Sequence, residues 1–123
     1  MTAPMDVVAR MVAAIEAGDA GAVRDLYAPD VVLWTNFDDT ERGRDEAIEM
    51  LGMLLTHTTD RRYDVKRRVA IDGGVLQQHV VRGTTKGGRT FAMPACLVME
   101  IADSMITRID EYLDPSAMTR AVT

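Results

Sequence analysis

Near residue 60 the spacing of apolar side chains changes from steps of three and four to steps of two. Before that point Met5, Val8, Val12 and Ile15 recur at helical spacing, as do Ile48, Leu51 and Leu55. Each set forms a stripe along one face of a helix. After it Tyr63, Val65, Val69 and Ile71 alternate with charged residues, the pattern of a strand with one face on a core. Helices gathered in one half of a chain and hairpin strands in the other define an α+β domain, with helices packed on an antiparallel sheet.

Local signals divide the two halves into elements. Thr2 can cap the first helix, Pro4 is tolerated in its first turn and Gly18 stops it. Asp19 caps a second, with Val23, Leu26 and Tyr27 on one face, until Ala28 and Pro29 break it. Val31 to Trp34 is a β-branched and aromatic run too short for a helix, followed by a polar loop from Asn36 to Arg42. Gly43 precedes a third helix with Asp45 and Glu46 at the positive end of its dipole; His57, Thr58 and Thr59 close it. Turns at Asp72-Gly73-Gly74, Lys86-Gly87-Gly88 and Ala102-Asp103-Ser104 then separate four strands, the last running from Met105 to Leu113 before Pro115. Arg89 to Ile101 is apolar on both parities, as in a central strand covered on both faces. Sheet segments this long must bend to close around three helices, which predicts a strongly curved, mainly antiparallel sheet forming a cone with an apolar internal pocket.

A chain of 123 residues buries roughly two thirds of its unfolded surface, so residues 1–123 are expected to form a single domain without disulfides or metal. The net charge of -5 disfavours phosphate backbones and anionic membranes, both of which require clustered Lys and Arg. The one basic cluster, Lys66-Arg67-Arg68 after Arg61 and Arg62, alternates between strand faces and is expected to be a solvated edge. No nucleic-acid or membrane partner is expected. Cys96 is the only cysteine and lies in an apolar run, where it packs as a small hydrophobe. The N-terminus lacks the basic start and continuous apolar stretch of a secretory signal, so a cytoplasmic location is expected. Asp38, Asp39 and Glu41 resemble metal ligands in composition only; with two distant histidines and no H-x-x-H or C-x-x-C spacing, neither a metal nor a cofactor is predicted.

Three stretches carry a resemblance that spans nearly the whole chain. Leu26-Tyr27-Ala28-Pro29-Asp30-Val31 resembles an "L-[YF]-x-x-D-V" entry into a first strand, Gly43-Arg44-Asp45-Glu46-Ala47 a "G-[RK]-[DE]-[AE]-[AI]" helix opening, and Ile106 to Asp114 a closing strand "I-x-x-[WIL]-x-[DE]-Y-[FL]-D". Together they resemble the SnoaL-like, nuclear-transport-factor-2-like (ketosteroid-isomerase-like) superfamily, and within it most nearly the limonene epoxide hydrolases. That likeness puts Glu111 where those enzymes carry the catalytic aspartate of the closing strand, and sets Trp34-Thr35-Asn36 beside their Y-x-N. It puts His79 in place of the arginine and Val81 in place of the second aspartate of their E-R-x-D strand. Epoxide opening needs one carboxylate to deprotonate water and a second, protonated acid to donate to the epoxide oxygen. Here one of the two acids is missing, and a slip of register that turns Gln78, Val80 and Arg82 inward does not supply it.

Strand parity places Ile109, Glu111 and Leu113 on one face of the last strand. A carboxylate between two apolar side chains either finds a partner or has its pKa raised. Glu111 is therefore the expected base, paired across the sheet with His79, while Asn36 donates to a substrate oxygen or a water. Trp34, Val81, Ile109 and Leu113 are the expected pocket walls, and Met50, Met53, Met93 and Met99 adaptable filling. The expected ligand is an apolar small molecule, isomerised, cyclised or hydrolysed by acid-base chemistry. The competing expectation is a ligand-binding or association module with the same cone and no catalysis. In either case the covered outer sheet face is expected to join two copies into a homodimer.

Overall fold

The computed structural model describes residues 2–118. Helix α1 (Pro4–Ala17) begins with proline at its first turn, where the missing N–H has no partner to lose. It ends at Gly18, whose φ of 76° places it in the left-handed region. Thr2 does not cap it: Ala3 occupies that position, and the Thr2 amide donates instead to Ser104 Oγ at 2.6 Å. Asp19 does cap helix α2 (Ala20–Leu26), its carboxylate accepting from the Ala22 amide at 3.0 Å.

Strand β1 (Tyr27–Thr35) starts earlier than the Val31–Trp34 run and incorporates Ala28 and Pro29. The stretch expected to be loop contains a short strand β2 (Thr40–Arg42), paired with the end of β1. Helix α3 (Arg44–His57) is followed by β3 (Thr58–Ile71), β4 (Gly74–Thr85), β5 (Thr90–Ala102) and β6 (Met105–Leu113), with a short helical turn at 116–118. The strands form one six-stranded sheet in the order β2-β1-β6-β5-β4-β3. Every pairing is antiparallel except β1 with β6, the first long strand lying parallel to the last. Bulges in β3 and irregularities at both edges of β6 give the sheet the extra twist that curvature requires.

The helices cover one face. Val7, Val8, Met11, Val12 and Ile15 of α1 pack with Val75, Leu97, Met99, Ile106 and Ile109 from the sheet in one core. Arg61 ties the ends together: its guanidinium donates to the carbonyls of Ile15 at the end of α1, Leu55 near the end of α3, and Thr58. A cation there satisfies helix carbonyls that have no intrahelical donor.

At the start of β4 the backbone of β5 comes so close that a Cβ on Gly74 would lie 1.7 Å from the Met99 carbonyl oxygen. No rotamer change relieves a clash with backbone. Gly74→Ala should cost more than about 3 kcal/mol in urea unfolding, whereas Gly18→Ala, which imposes the left-handed penalty on a side chain, should cost about 1–2 kcal/mol.

Candidate active site

Between the helices and the concave side of the sheet lies a cavity of about 250 Å³. Met11 and Ile15 of α1, Ala47, Met50, Leu51 and Leu54 of α3, and Pro115 and Met118 after β6 line it on the helical side. The sheet contributes Tyr27, Leu33, Tyr63, His79, Val81, Met93, Ala95, Leu97, Ile109, Glu111 and Leu113, with Phe37 beside them. Among these residues Glu111 is the only acid, and three others, Tyr27, Tyr63 and His79, carry polar side-chain atoms.

Alternation along β6 turns Glu111 inward with Ile109 and Leu113. Its carboxyl is enclosed by protein, and the surface it keeps is partly open at the cavity. Burial pushes its pKa up to about 7, opposed by the Arg42 guanidinium. Arg42 makes its own hydrogen bonds to other partners: it donates to Asp38 Oδ2 at 2.6 Å and to Thr35 Oγ1 at 3.1 Å. The bond from Arg42, with one from Thr35 Oγ1 at 2.6 Å, holds the Asp38 carboxyl down at about 2. Glu111 is thus poised to exchange a proton near neutrality.

Tyr27 and Tyr63 were not singled out from the sequence. Both phenols are raised well above their ordinary value, first by burial and then by the nearby Glu111 charge. They remain neutral O–H donors, close enough to feel the carboxylate. Tyr27 opens β1 ahead of an irregularity that precedes Val32, so the alternation of Val31, Leu33 and Thr35 could not be carried back to it.

His79 also faces the cavity, as do Val81, Ile109 and Leu113. Of the two registers open for β4, the one with Gln77, His79 and Val81 inward is realised, each of them 4% exposed or less. The anticipated His79–Glu111 hydrogen bond is not formed. Register pairs His79 with Ala95, and Ala95 with Leu113, so β5 stands between the two side chains. The His79 ring packs on Tyr63 with centroids 4.6 Å apart, and Nδ1 lies 3.0 Å from the Gln77 amide nitrogen. Burial first, and then the Arg68 charge, lower its pKa to about 4, so the ring is neutral at pH 7.

Asn36 and Trp34 lie outside the cavity lining. The Asn36 side-chain oxygen accepts from the Leu113 amide at 2.9 Å while its own amide donates to the Glu111 carbonyl at 3.1 Å. It extends the β1–β6 ladder by one step. Trp34 turns to the opposite face, where its N–H donates to Asp39 at 2.8 Å and its ring meets Tyr112 edge-on at 5.2 Å. Met50 and Met93 line the cavity, Met99 is core, and Met53 is 62% exposed. Among the described residues no three His, Cys, Asp or Glu side chains gather as metal ligands do, and no helix is long and apolar enough to cross a membrane.

The chain belongs to the SnoaL-like domain family, whose model matches residues 8–109. No functionally curated protein matches it, but solved structures do. IdmH from Streptomyces antibioticus, proposed to be a polyketide cyclase, is 23% identical with a TM-score of 0.85, over 98% of this chain and 99% of its own. An LEH-like epoxide hydrolase of M. tuberculosis is 19% identical with a TM-score of 0.77, over 96% and 87%. A hypothetical protein with a ketosteroid isomerase-like fold from Catenulispora acidiphila is 19% identical with a TM-score of 0.82, over 98% and 93%. At these identities the likeness establishes the fold, the α+β cone of this superfamily.

A raised carboxyl pKa has a thermodynamic signature. The folded state keeps the Glu111 proton to about pH 7, while the unfolded chain releases it near 4.5. The unfolded chain therefore binds fewer protons between those values, and stability is lost as pH rises through that window. Glu111→Gln should remove this loss and be more stable than wild type at pH 8 by about 1–3 kcal/mol, discounted for the carboxylate's access to the cavity, with little difference at pH 4.5. Urea unfolding at the two pH values measures it; His79 titrates in both proteins and cancels.

Proposed function

We propose that this protein is a cofactor-independent enzyme that transfers a proton at a carbon next to a carbonyl in a small, largely apolar molecule, as an isomerase or cyclase. One observation carries the reading: Glu111, the one acid among the described residues lining an apolar cavity, has its pKa pushed up to about 7 by burial, and the phenols of Tyr27 and Tyr63, which line the same cavity, feel its charge. A base with a pKa near the working pH combines a useful deprotonated fraction with useful basicity.

In the forward step the Glu111 carboxylate takes the proton from the α-carbon, and the C–H electron pair moves through the carbonyl to its oxygen. Tyr27 and Tyr63 supply neutral donors to that oxygen, which stabilise developing negative charge. Glu111 then returns the proton to another carbon, giving an isomer; alternatively the enolate carbon adds to a second carbonyl carbon of the same molecule, whose π pair moves to its oxygen and takes the proton from Glu111, closing a ring. With one acid in the cavity this chemistry fits better than epoxide opening, which divides its work between two. An engineered cavity of about 150 Å³ admits benzene, so about 250 Å³ suits a substrate of one or two rings.

The outer sheet face, carrying Val80, Pro94, Cys96, Val98 and Tyr112, lies opposite the helices. Pairing of two copies through it is part of the same reading.

Incubation with a panel of one- and two-ring ketones in deuterated buffer tests the catalytic proposal. Wild type should exchange the α-protons of at least one bound ketone, with kcat/KM rising to a plateau through pH about 7. Glu111→Gln should lower exchange by at least 100-fold. Tight binding of panel members with no exchange above background would identify a ligand-holding module instead.

A further inference from the structure

Behind His79 runs a short polar chain that the catalytic step does not use. Arg68 Nε donates to Gln77 Oε1 at 2.6 Å, and Gln77 Nε2 lies 3.0 Å from His79 Nδ1. Gln77 is 0% exposed; an amide in that position costs several times its ordinary hydrogen-bond contribution if left unpaired.

The chain has a direction, set by Arg68. A guanidinium only donates, so the amide atom facing it is the oxygen and the atom facing His79 is the NH2 group. The NH2 group only donates in turn, so His79 Nδ1 must accept. An Nδ1 that accepts carries no proton, and the neutral ring's proton is on Nε2. An imidazolium would set one N–H against another at Gln77, so the same contact opposes charging of the ring. The groups around His79 work the same way: Arg68 on β3 is cationic, and Tyr63 on β3 is a neutral phenol. Glu111, the one acid lining the cavity, is two strands away.

Nε2 has no partner among the described residues, yet it is not among their buried unpaired atoms; it is accessible, on a residue that lines the cavity. Two strand spacings and a two-residue offset separate the Cα atoms of His79 and Glu111 by about 12 Å in a flat sheet. The side chains project toward one space, with room for part of a ligand between them.

We propose that Gln77 is a positioning residue which, oriented by Arg68, locks His79 as the Nε2–H tautomer, so that the imidazole is a neutral hydrogen-bond donor anchoring an acceptor oxygen of the ligand. This rests on the cavity's being the substrate site and deepens it by defining a substrate class: a ketone bearing a second carbonyl or ether oxygen remote from the carbon that Glu111 deprotonates. The distal oxygen binds His79, and the reacting carbonyl faces Tyr27 and Tyr63. In this arrangement His79 is a donor and not the base's partner.

The tautomer is read directly by 15N-edited NMR of the histidine rings in the ligand-free protein, at pH 7, independently of any turnover. The expected result is an Nε2–H ring for His79 in wild type and in Glu111→Gln. Gln77→Glu places an acceptor against Nδ1 and should move the proton there; Gln77→Met, of similar shape and uncharged, should leave a mixture of tautomers if the charged variant does not fold. Binding of decalin-1,5-dione relative to 1-decalone, which lacks the second oxygen, then reads the anchor. Wild type should prefer the dione at least 10-fold, and the Gln77 variants should lose that preference. An Nδ1–H or mixed ring in wild type overturns the lock, and an unchanged dione preference in variants with altered tautomers overturns the anchor. Failure of α-proton exchange with the tautomer intact would count against the catalytic reading alone.

Discussion

The parallel pairing of β1 with β6 is the contact on which the remainder of the molecule depends. Four strands from β3 to β6 form a hairpin meander that needs only local turns, but a meander alone has no lid. Because β1 lies beside β6, the helices leading into and out of it are brought over the concave face, and the cavity acquires its helical wall. Asn36 secures the end of this pairing with both its backbone and its side chain. The clamp grips the backbone of Glu111 and Leu113, so the same bonds that close the fold hold the strand from which the cavity's only acid projects.

Electrostatics then follow from enclosure. Glu111 meets no bound cation because the nearby guanidinium of Arg42 is already satisfied by Asp38 and Thr35. The fold therefore maintains a carboxyl at a disadvantage in energy, a common trait of catalytic groups, whose proton affinity must match their task rather than the stability of the protein. His79 is shifted the opposite way by the same burial. One environment thus moves two titratable side chains in opposite directions, each toward its neutral form.

The helices, the meander and the inward direction of Glu111 were legible because each depends on a period that neighbouring residues repeat. Ile109 and Leu113 identify the face of Glu111, and Val75 and Val81 that of His79. What was not legible depends on partners distant in sequence. Asn36 looked like a substrate donor, since its true acceptor role involves an amide 77 residues away. Trp34 looked like a pocket wall because it is large and apolar, yet Leu33 and Thr35 take the inward parity. Strand β2 consists of Thr40, Glu41 and Arg42, polar residues whose strand geometry comes from pairing with β1 and not from propensity. Tyr27 was hidden because it reads as the last residue of the second helix, one past its end at Leu26, and the Gln77–His79 contact because an acid is the more usual partner of a histidine.

One consequence of the enclosed carboxyl concerns occupancy rather than chemistry. An apolar guest entering the cavity displaces the water that still reaches Glu111, and so penalises the anion further. Guest and proton then associate together: near neutrality the complex forms with net uptake of hydrogen ions from the buffer, and affinity declines as the medium becomes alkaline. The measured heat of association consequently changes with the ionisation enthalpy of the buffer, even for a guest that carries no titratable group of its own.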